Sequence, residues 1–410
     1  MNWLTSPAHH RWLAAEADRL LAFGEASRDP RGGFAWLRED GTPDAAHDIE
    51  LWITCRMTHS FALASLMGRP GAAALVDHGV AALAGPLKDH ENGGWFAAIN
   101  ADGPTKTTKE AYGHAFVILA AASAKAAGRP GADELLEDAL AVHLEHFWDD
   151  EVGMSRESYG ADWTNEEQYR GINANMHTVE AYLAAADVTG DRSWLARAAR
   201  IVERAIHDFA RNNDWRLPEH FTPEWEPVLD FNKEAPAHPF RPYGATIGHS
   251  FEWARLAIQT GVSLQQTGLS APEWIVEDSR ALYDKAVVEG WNVDGAEGFV
   301  YTIDWDGTPV VRERMHWVAA EAVGAAAALW LRTKLPQYAD QYQQWWDYIA
   351  ERHVDKEGGS WWHELSPTLE VSRTVWEGKA DIYHALQATL FARLPLTPAL
   401  AASRAAGNLD

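Results

Sequence analysis

Sulfur and positive charge are both scarce in this chain. One cysteine, Cys55, stands among 410 residues. That excludes an internal disulfide framework and any multi-cysteine metal centre, and it fits a reducing compartment. Lys and Arg number 35 against 59 Asp and Glu, a formal net charge of −24. Nucleic acids and anionic membranes need the opposite balance, so neither is expected as a partner. The N-terminus, MNWLTSPAHHRWLAAEADRLL, has no apolar stretch behind a basic start, so no signal peptide is expected. The apolar run from Val318 to Leu331 is interrupted by Glu321 and too short to span a bilayer. A cytoplasmic location is therefore expected. Phosphate-binding glycine motifs are missing, as is H-E-x-x-H, so neither a nucleotide cofactor nor a metal is expected.

What the chain has is apolar residues (47%) and 21 tryptophans. Tryptophan offers a flat apolar face and one N–H donor. It suits both a large core and the C–H faces of a sugar. Six Gly- or aromatic-rich segments recur: GGFAWL at 32, GGWFAA at 93, VGMSRES at 152, DWRLPEH at 214, EGFVYTI at 297 and GGSWWHE at 358. Their starts are separated by 61, 59, 62, 83 and 61 residues, and the long interval contains a Pro-rich insertion, residues 221–244.

Between these marks the apolar residues recur at helical spacing. About twelve helices are predicted, at 8–26, 46–67, 71–88, 108–128, 133–148, 173–189, 192–211, 247–266, 274–290, 314–333, 337–353 and 378–394. Six helix pairs at a period near sixty describe an all-α (α/α)6 toroid. Short loops or hairpins join the pairs, and each pair has an apolar face it cannot bury alone. The Ala-rich alternate helices are the inner ones. No composition break divides the chain, so 1–410 reads as one domain.

Polar residues near the start of an inner helix are informative, because those helix ends share one face where a pocket is expected. They include Arg56, Tyr112 and His114, then Asn173, Asn175, His177 and Glu180. His249, Glu252, Arg314, Trp317, Glu321, Lys379, Asp381 and His384 complete the set. Singly, each has a structural reading: a hydrogen-bonded core histidine, a buried salt bridge of Arg56 with Glu252 or Glu321, or a helix cap at Asn173 or Asp381. Together, the histidines and the arginine suit proton transfer beside a carbonyl. One imidazole acts as base, another as acid, and a cation stabilises the enediolate. Glu252 and Glu321 also keep glycoside hydrolysis open, and a non-catalytic sugar-binding protein is a further reading.

At these residues the chain resembles the N-acylglucosamine 2-epimerase superfamily, most closely its aldose–ketose isomerase branch. The segments carrying the resemblance are DIELWITCRMTH, EEQYRGINANMHTVEAYL, EHFTPEWEPVLDFNKEAPAHPFRPYGATIGHSFEWARL, VYTIDWDGTPVVRERMHW, GGSWWHEL and VWEGKADIYHALQ, and the likeness runs over nearly the whole chain. The resemblance implies a monosaccharide substrate and isomerisation through a cis-enediol without a cofactor. His384 would shuttle the proton between C1 and C2. His249, oriented by Glu252, would assist at the oxygens. Arg56, Tyr112, Asn173, His177, Arg241, Trp317, Glu321 and Trp376 match the substrate pocket, and 221–244 would cover it. His363 and Ala380 stand where a sulfonate-sugar branch is expected to carry glutamines. The expectation is therefore interconversion of D-mannose and D-fructose, with a sulfoquinovose isomerase or a 2-epimerase as the alternative.

Overall fold

The computed structural model describes residues 2–409. Thirteen α-helices are present among them, joined by turns and strands of two to four residues. They are α1 (Pro7–Gly24), α2 (Leu51–Leu66), α3 (Ala72–Ala84), α4 (Ala111–Ala126), α5 (Ala132–Val142), α6 (Ile172–Thr189), α7 (Arg192–Val202), α8 (Ile247–Gln266), α9 (Ile275–Gly290), α10 (His316–Thr333), α11 (Pro336–Tyr348), α12 (Tyr383–Phe391) and α13 (Leu400–Ala405).

The chain forms two compact units. The first takes the chain up to Leu20, Val202–Lys379 and His384–Leu396; the second takes Leu21–Ile201, Ala380–Tyr383 and the chain from Thr397 on. In the second unit, α4 lies between α2 and α6, while α3 and α5 back α2 and α4. In the first, α8 packs on α10, with α9 behind α8 and α11 behind α10. The sequence accounts for this layering. Helices α2, α4, α6, α8 and α10 are buried on nearly every face over most of their length, whereas α3, α5 and α11 bury one stripe. A helix apolar all round belongs inside, and an amphipathic one outside.

Three inner helices, α2, α4 and α10, start later than the periodicity indicates, while α8 starts where it indicates, and all four entrances share one feature. The residues just before them are extended and pair with a strand from the loop of the following repeat. Ile49 faces Ile99, Lys109 faces Tyr159, Ala245 faces Ile303 and Arg314 faces Leu365. These non-local pairs fix the helix entrances, and no local pattern encodes them. Three outer helices predicted as continuous change hydrogen-bond register near their ends, where π-turns run over His143–Phe147, Glu203–Ala210 and Ile349–His353. The short α13 was not anticipated. It packs on α2, α4 and α6, and Arg404 Nη2 donates to the Leu66 carbonyl at 2.9 Å.

The recurring Gly-rich segments are turns, each closed by an aspartate. Asp89 accepts the backbone N–H groups of Glu91 and Asn92, both at 3.0 Å. Asp355 accepts those of Glu357 and Gly358 at 3.1 and 2.8 Å. A fully buried lysine seals both of these turns: Lys109 Nζ lies 2.7 Å from Asp89, and Lys379 Nζ lies 2.5 Å from Asp355. Arg314 does the same for Asp294, at 2.5 Å. Gly94 shows why glycine is needed here. Its φ is +69°, and a Cβ would meet Trp163 at 2.7 Å and His114 Nε2 at 2.8 Å.

Candidate active site

The polar residues at the inner-helix entrances divide into two kinds. His114, Asn175, Arg314 and Lys379 are spent on loops. His114 joins the Glu110 carbonyl through Nδ1 at 2.7 Å and takes the Trp95 N–H on Nε2 at 3.1 Å. Asn175 bonds both backbone groups of Ser155. The remainder form a cluster within each unit.

In the first unit, α8 presents His249 on its first turn, with Glu252 and Arg255 three and six residues on. His249 Nδ1 lies 2.8 Å from Glu219 Oε2, and Glu219 Oε1 accepts the Thr246 N–H at 3.2 Å. All three partners are buried. A carboxylate can only accept, so Nδ1 carries the proton and Nε2 is the nitrogen left for chemistry. Sequence reasoning had given this orienting role to Glu252. The structure gives it to Glu219, which sits 30 residues upstream in a segment whose helical pattern has ended, so no spacing argument links the two. Glu252 instead lies 3.3 Å from Arg255 Nη2.

His384, on the first turn of α12, repeats the arrangement. Its Nδ1 lies 2.8 Å from Glu321 Oε1, while Glu321 Oε2 accepts from Arg255 Nε at 3.0 Å and Nη2 at 2.8 Å. Burial alone would raise the Glu321 carboxyl, but Arg255 and His384 outweigh it and hold it below the usual carboxylate range. Glu321 was expected to touch substrate. Both its oxygens are occupied by side chains of its own unit, so its place is behind His384. Trp317 lies beside both imidazoles, with its ring centroid 5.3 Å from His249 and 5.7 Å from His384. That approach needs Gly248, where a Cβ would fall 2.3 Å from the indole.

Glu252, Glu321 and His384 each bring one potential metal-ligand atom within 4.8 Å of one another. The guanidinium of Arg255 already bonds both carboxylates, so a divalent cation there would meet a fixed positive charge. This donor set does not fit a metal.

The other predicted residues of this unit border the insertion. Arg241 stands near its end, where its charge reaches buried His220; burial, outweighing the opposing Pro242 carbonyl and Glu219, sets that imidazole below its ordinary value. His220 Nε2 meets the Pro242 carbonyl at 2.8 Å and its ring packs on Phe231 at 4.4 Å, tying the insertion down. Trp376 packs edge-on against Phe240 of the insertion at 5.2 Å, and its backbone N–H is held by Glu364 at 2.8 Å.

In the second unit, Arg56 on α2 lies within 5 Å of the ring centroids of Trp52, Phe116 and Tyr383. It donates to Asp381 at 3.2 Å and Tyr112 Oη at 3.0 Å. Burial disfavours its charge, but Tyr112, Asp381 and Tyr383 more than compensate, so it stays a cation. Its carboxylate partner is therefore Asp381, not Glu252 or Glu321. Asp381 also caps α12 through the Tyr383 N–H at 2.8 Å, the capping role considered from sequence. His177 on α6 lies 3.4 Å from Glu180 and packs on Tyr112 and Phe116. Glu180 accepts the Tyr383 hydroxyl proton. Asn173 is half-buried on the first turn of α6.

These geometries agree with what the chain is similar to. A D-mannose isomerase of Thermobifida fusca is 54% identical over 405 residues, 98% of either chain. A D-mannose isomerase of Pseudomonas cannabina pv. alisalensis is 52% identical over 404 residues, 98% of this chain and 97% of its own. A crystal structure of a D-mannose isomerase superposes with a TM-score of 0.87 at 28% identity, covering 95% of this chain and 99% of that one. The fold is thus the all-α (α/α)6 class expected from the repeat. The family model of N-acylglucosamine 2-epimerase (GlcNAc 2-epimerase) matches residues 32–388, and the chain belongs to that family.

Proposed function

We propose that this protein is an aldose–ketose isomerase that interconverts D-mannose and D-fructose without a cofactor, a reading supported by two full-length relatives of that name. The observation that carries the chemistry is the pair of buried imidazoles beside Trp317, each with Nδ1 on a carboxylate.

Such a pair balances every proton of the reaction. On the open-chain aldose, His384 Nε2 takes the proton from C2 while His249, entering the cycle as the imidazolium with both nitrogens protonated, gives its Nε2 proton to O1, and the C2–H electrons form the enediol double bond. His249 then takes the O2 proton as His384 returns its own to C1, giving the ketose. Glu219 and Glu321 stabilise each imidazolium as it forms and hold the rings in place. Arg56, Tyr112, Asn173, His177, Arg241 and Trp376 are assigned to binding the sugar. Trp317 supplies an apolar face beside the reacting carbons. Glu252 is a positioning residue through Arg255. The whole chain acts as one domain with 221–244 over the substrate, working in the cytoplasm. No described helix is long and apolar enough to cross a membrane.

The test is D-mannose with EDTA-treated protein in D2O, followed by proton NMR. Fructose as the first product is expected, with deuterium at C1 reporting solvent exchange on His384. Glucose ahead of fructose would make the protein an epimerase. Tenfold higher kcat/KM on sulfoquinovose than on mannose would move the substrate to the sulfonate sugar.

A further inference from the structure

A cavity of about 360 Å³ opens on the outer layer of the first unit, between the N-terminal segment and α11. That is within the ~300–1,000 Å³ usual for small-molecule sites, and the mechanism above makes no use of it. Trp3, His9 and Trp12 line it from the N-terminal segment, and Trp346 and Asp347 from α11. The rings form a connected box. His9 and Trp12 lie nearly parallel, 7° apart with centroids at 6.0 Å. Trp346 crosses these two at 70° and 77°, at 5.9 and 5.5 Å. Trp3 leans on His9 at 4.7 Å.

Local hydrogen bonds hold the box in shape. The Leu4 N–H donates to the Asn2 side chain at 3.0 Å, and the Ser6 N–H donates to the Trp3 carbonyl at 3.1 Å. His9 Nε2 lies 3.1 Å from Tyr342 Oη. A site already assembled loses little freedom on binding. The cavity is also within reach of solvent. Trp12 is 39% exposed, and among the described residues it is the one tryptophan left so open.

The polar side chains on the cavity are few, chiefly Asp347 and the hydroxyl of Ser6. A sugar would leave most of its hydroxyls without partners there. An organic cation has the opposite needs. Its charge is attracted to the negative face of an aromatic ring, tryptophan best of all, and its methyl groups fill apolar space. Asp347 is exposed and makes no ion pair with a described residue, so its carboxylate is free to meet a positive charge. Burial, with His10 adding to it, pushes His9 down to about 4, so that ring brings no competing charge at neutral pH. The net charge of −24 draws cations toward the surface as a whole.

We propose that this cavity binds a small quaternary ammonium compound of the choline kind, with the methylated nitrogen among Trp3, Trp12 and Trp346 and its charge met by Asp347. The proposal is independent of the sugar chemistry.

The test is calorimetric titration of the full chain with choline and with its uncharged analogue, which carries a tert-butyl group in place of the trimethylammonium. Choline is expected to bind at least about tenfold more tightly than the analogue. Trp12→Ala should weaken choline binding about tenfold and Asp347→Asn about fivefold, with unchanged circular dichroism in both. Both side chains are exposed, so neither variant endangers the fold. Excess D-mannose should not displace choline. Absence of binding at about 50 mM choline would overturn the proposal, as would equal affinity for the uncharged analogue, which would make the cavity merely apolar. Choline affinity unchanged in either variant, or choline displaced by D-mannose, would place the binding elsewhere and overturn it too.

Discussion

The buried histidines of the loop anchors and those beside Trp317 have similar burial and opposite chemistry. His114 and His353 place Nδ1 against a backbone carbonyl, at 2.7 and 3.0 Å. His249 and His384 place Nδ1 against a carboxylate, both at 2.8 Å. A carbonyl fixes the tautomer but offers no charge to an imidazolium, and burial then wins: His114 is pushed down to about 3 and His353 to about 4. A carboxylate gives the same tautomer and also a counter-charge for the protonated ring. One kind of histidine is a fixed strut, and the other is proposed to carry a proton back and forth. The partner atom, more than depth of burial, separates them.

Breaking the second kind should have the largest effect. His384→Ala is expected to lower kcat by about 1,000-fold or more, with His249→Ala close behind, while far-UV circular dichroism stays helical. Activity retained in His384→Ala would remove that residue from the mechanism. The carboxylates behind the rings should separate next. Glu321→Gln leaves the Arg255 guanidinium without a charged partner at that oxygen, so it should lose both activity and about 3 kcal/mol of stability in denaturant titration. Glu219→Gln should lower kcat by about 10- to 100-fold with a smaller change in stability, since its partner is an imidazole that can lose its charge.

The struts should show the reverse. Lys109→Met or Lys379→Met strands a buried aspartate, at a cost of about 3 kcal/mol or more in unfolding free energy. Below its lowered melting temperature the variant should keep a kcat within a fewfold of the wild type. A large loss of kcat without loss of stability would erase the distinction between the two kinds of residue.

The smallest effect of a single substitution is on the pH dependence of stability. His59, His114, His143 and His353 sit at about 4, 3, 3 and 4 in the folded chain, chiefly through desolvation, against about 6.5 unfolded. The unfolded chain therefore binds more protons between those limits. Stability is fully present above 6.5 and falls as pH drops toward 4, by up to about 1.4 kcal/mol per pH unit for each histidine. Melting temperatures from pH 7 to 4.5 should decline, and His143→Gln should flatten the slope. A flat profile in the wild type would mean these rings are not held neutral.

Much of this was legible in the chain. The sixty-residue period and the all-round apolar helices gave the helix pairs and their inner and outer layers. Arg56, His177, His249 and His384 stood out because polar side chains are unexpected at such positions. His114, Arg314 and Lys379 stood out for the same reason and proved to hold turns, because the sequence gives a residue's type and face without its partner. Glu219 carried no signal, since it precedes a strand residue outside any helical pattern. Glu321 was visible, but its oxygens are claimed by Arg255 and His384 from two other helices.

The sequence by itself determined the class of fold, the inner and outer helices and the set of unusual polar residues, because each follows from periodicity and from the cost of burying polar groups. Only the tertiary structure decided which residue meets which. Helix entrances are set by strand pairs from the next repeat. The chemistry of each imidazole depends on whether a carbonyl or a carboxylate arrives at Nδ1, and those partners lie up to 63 residues away. Local spacing cannot encode a contact that exists only after distant segments have packed.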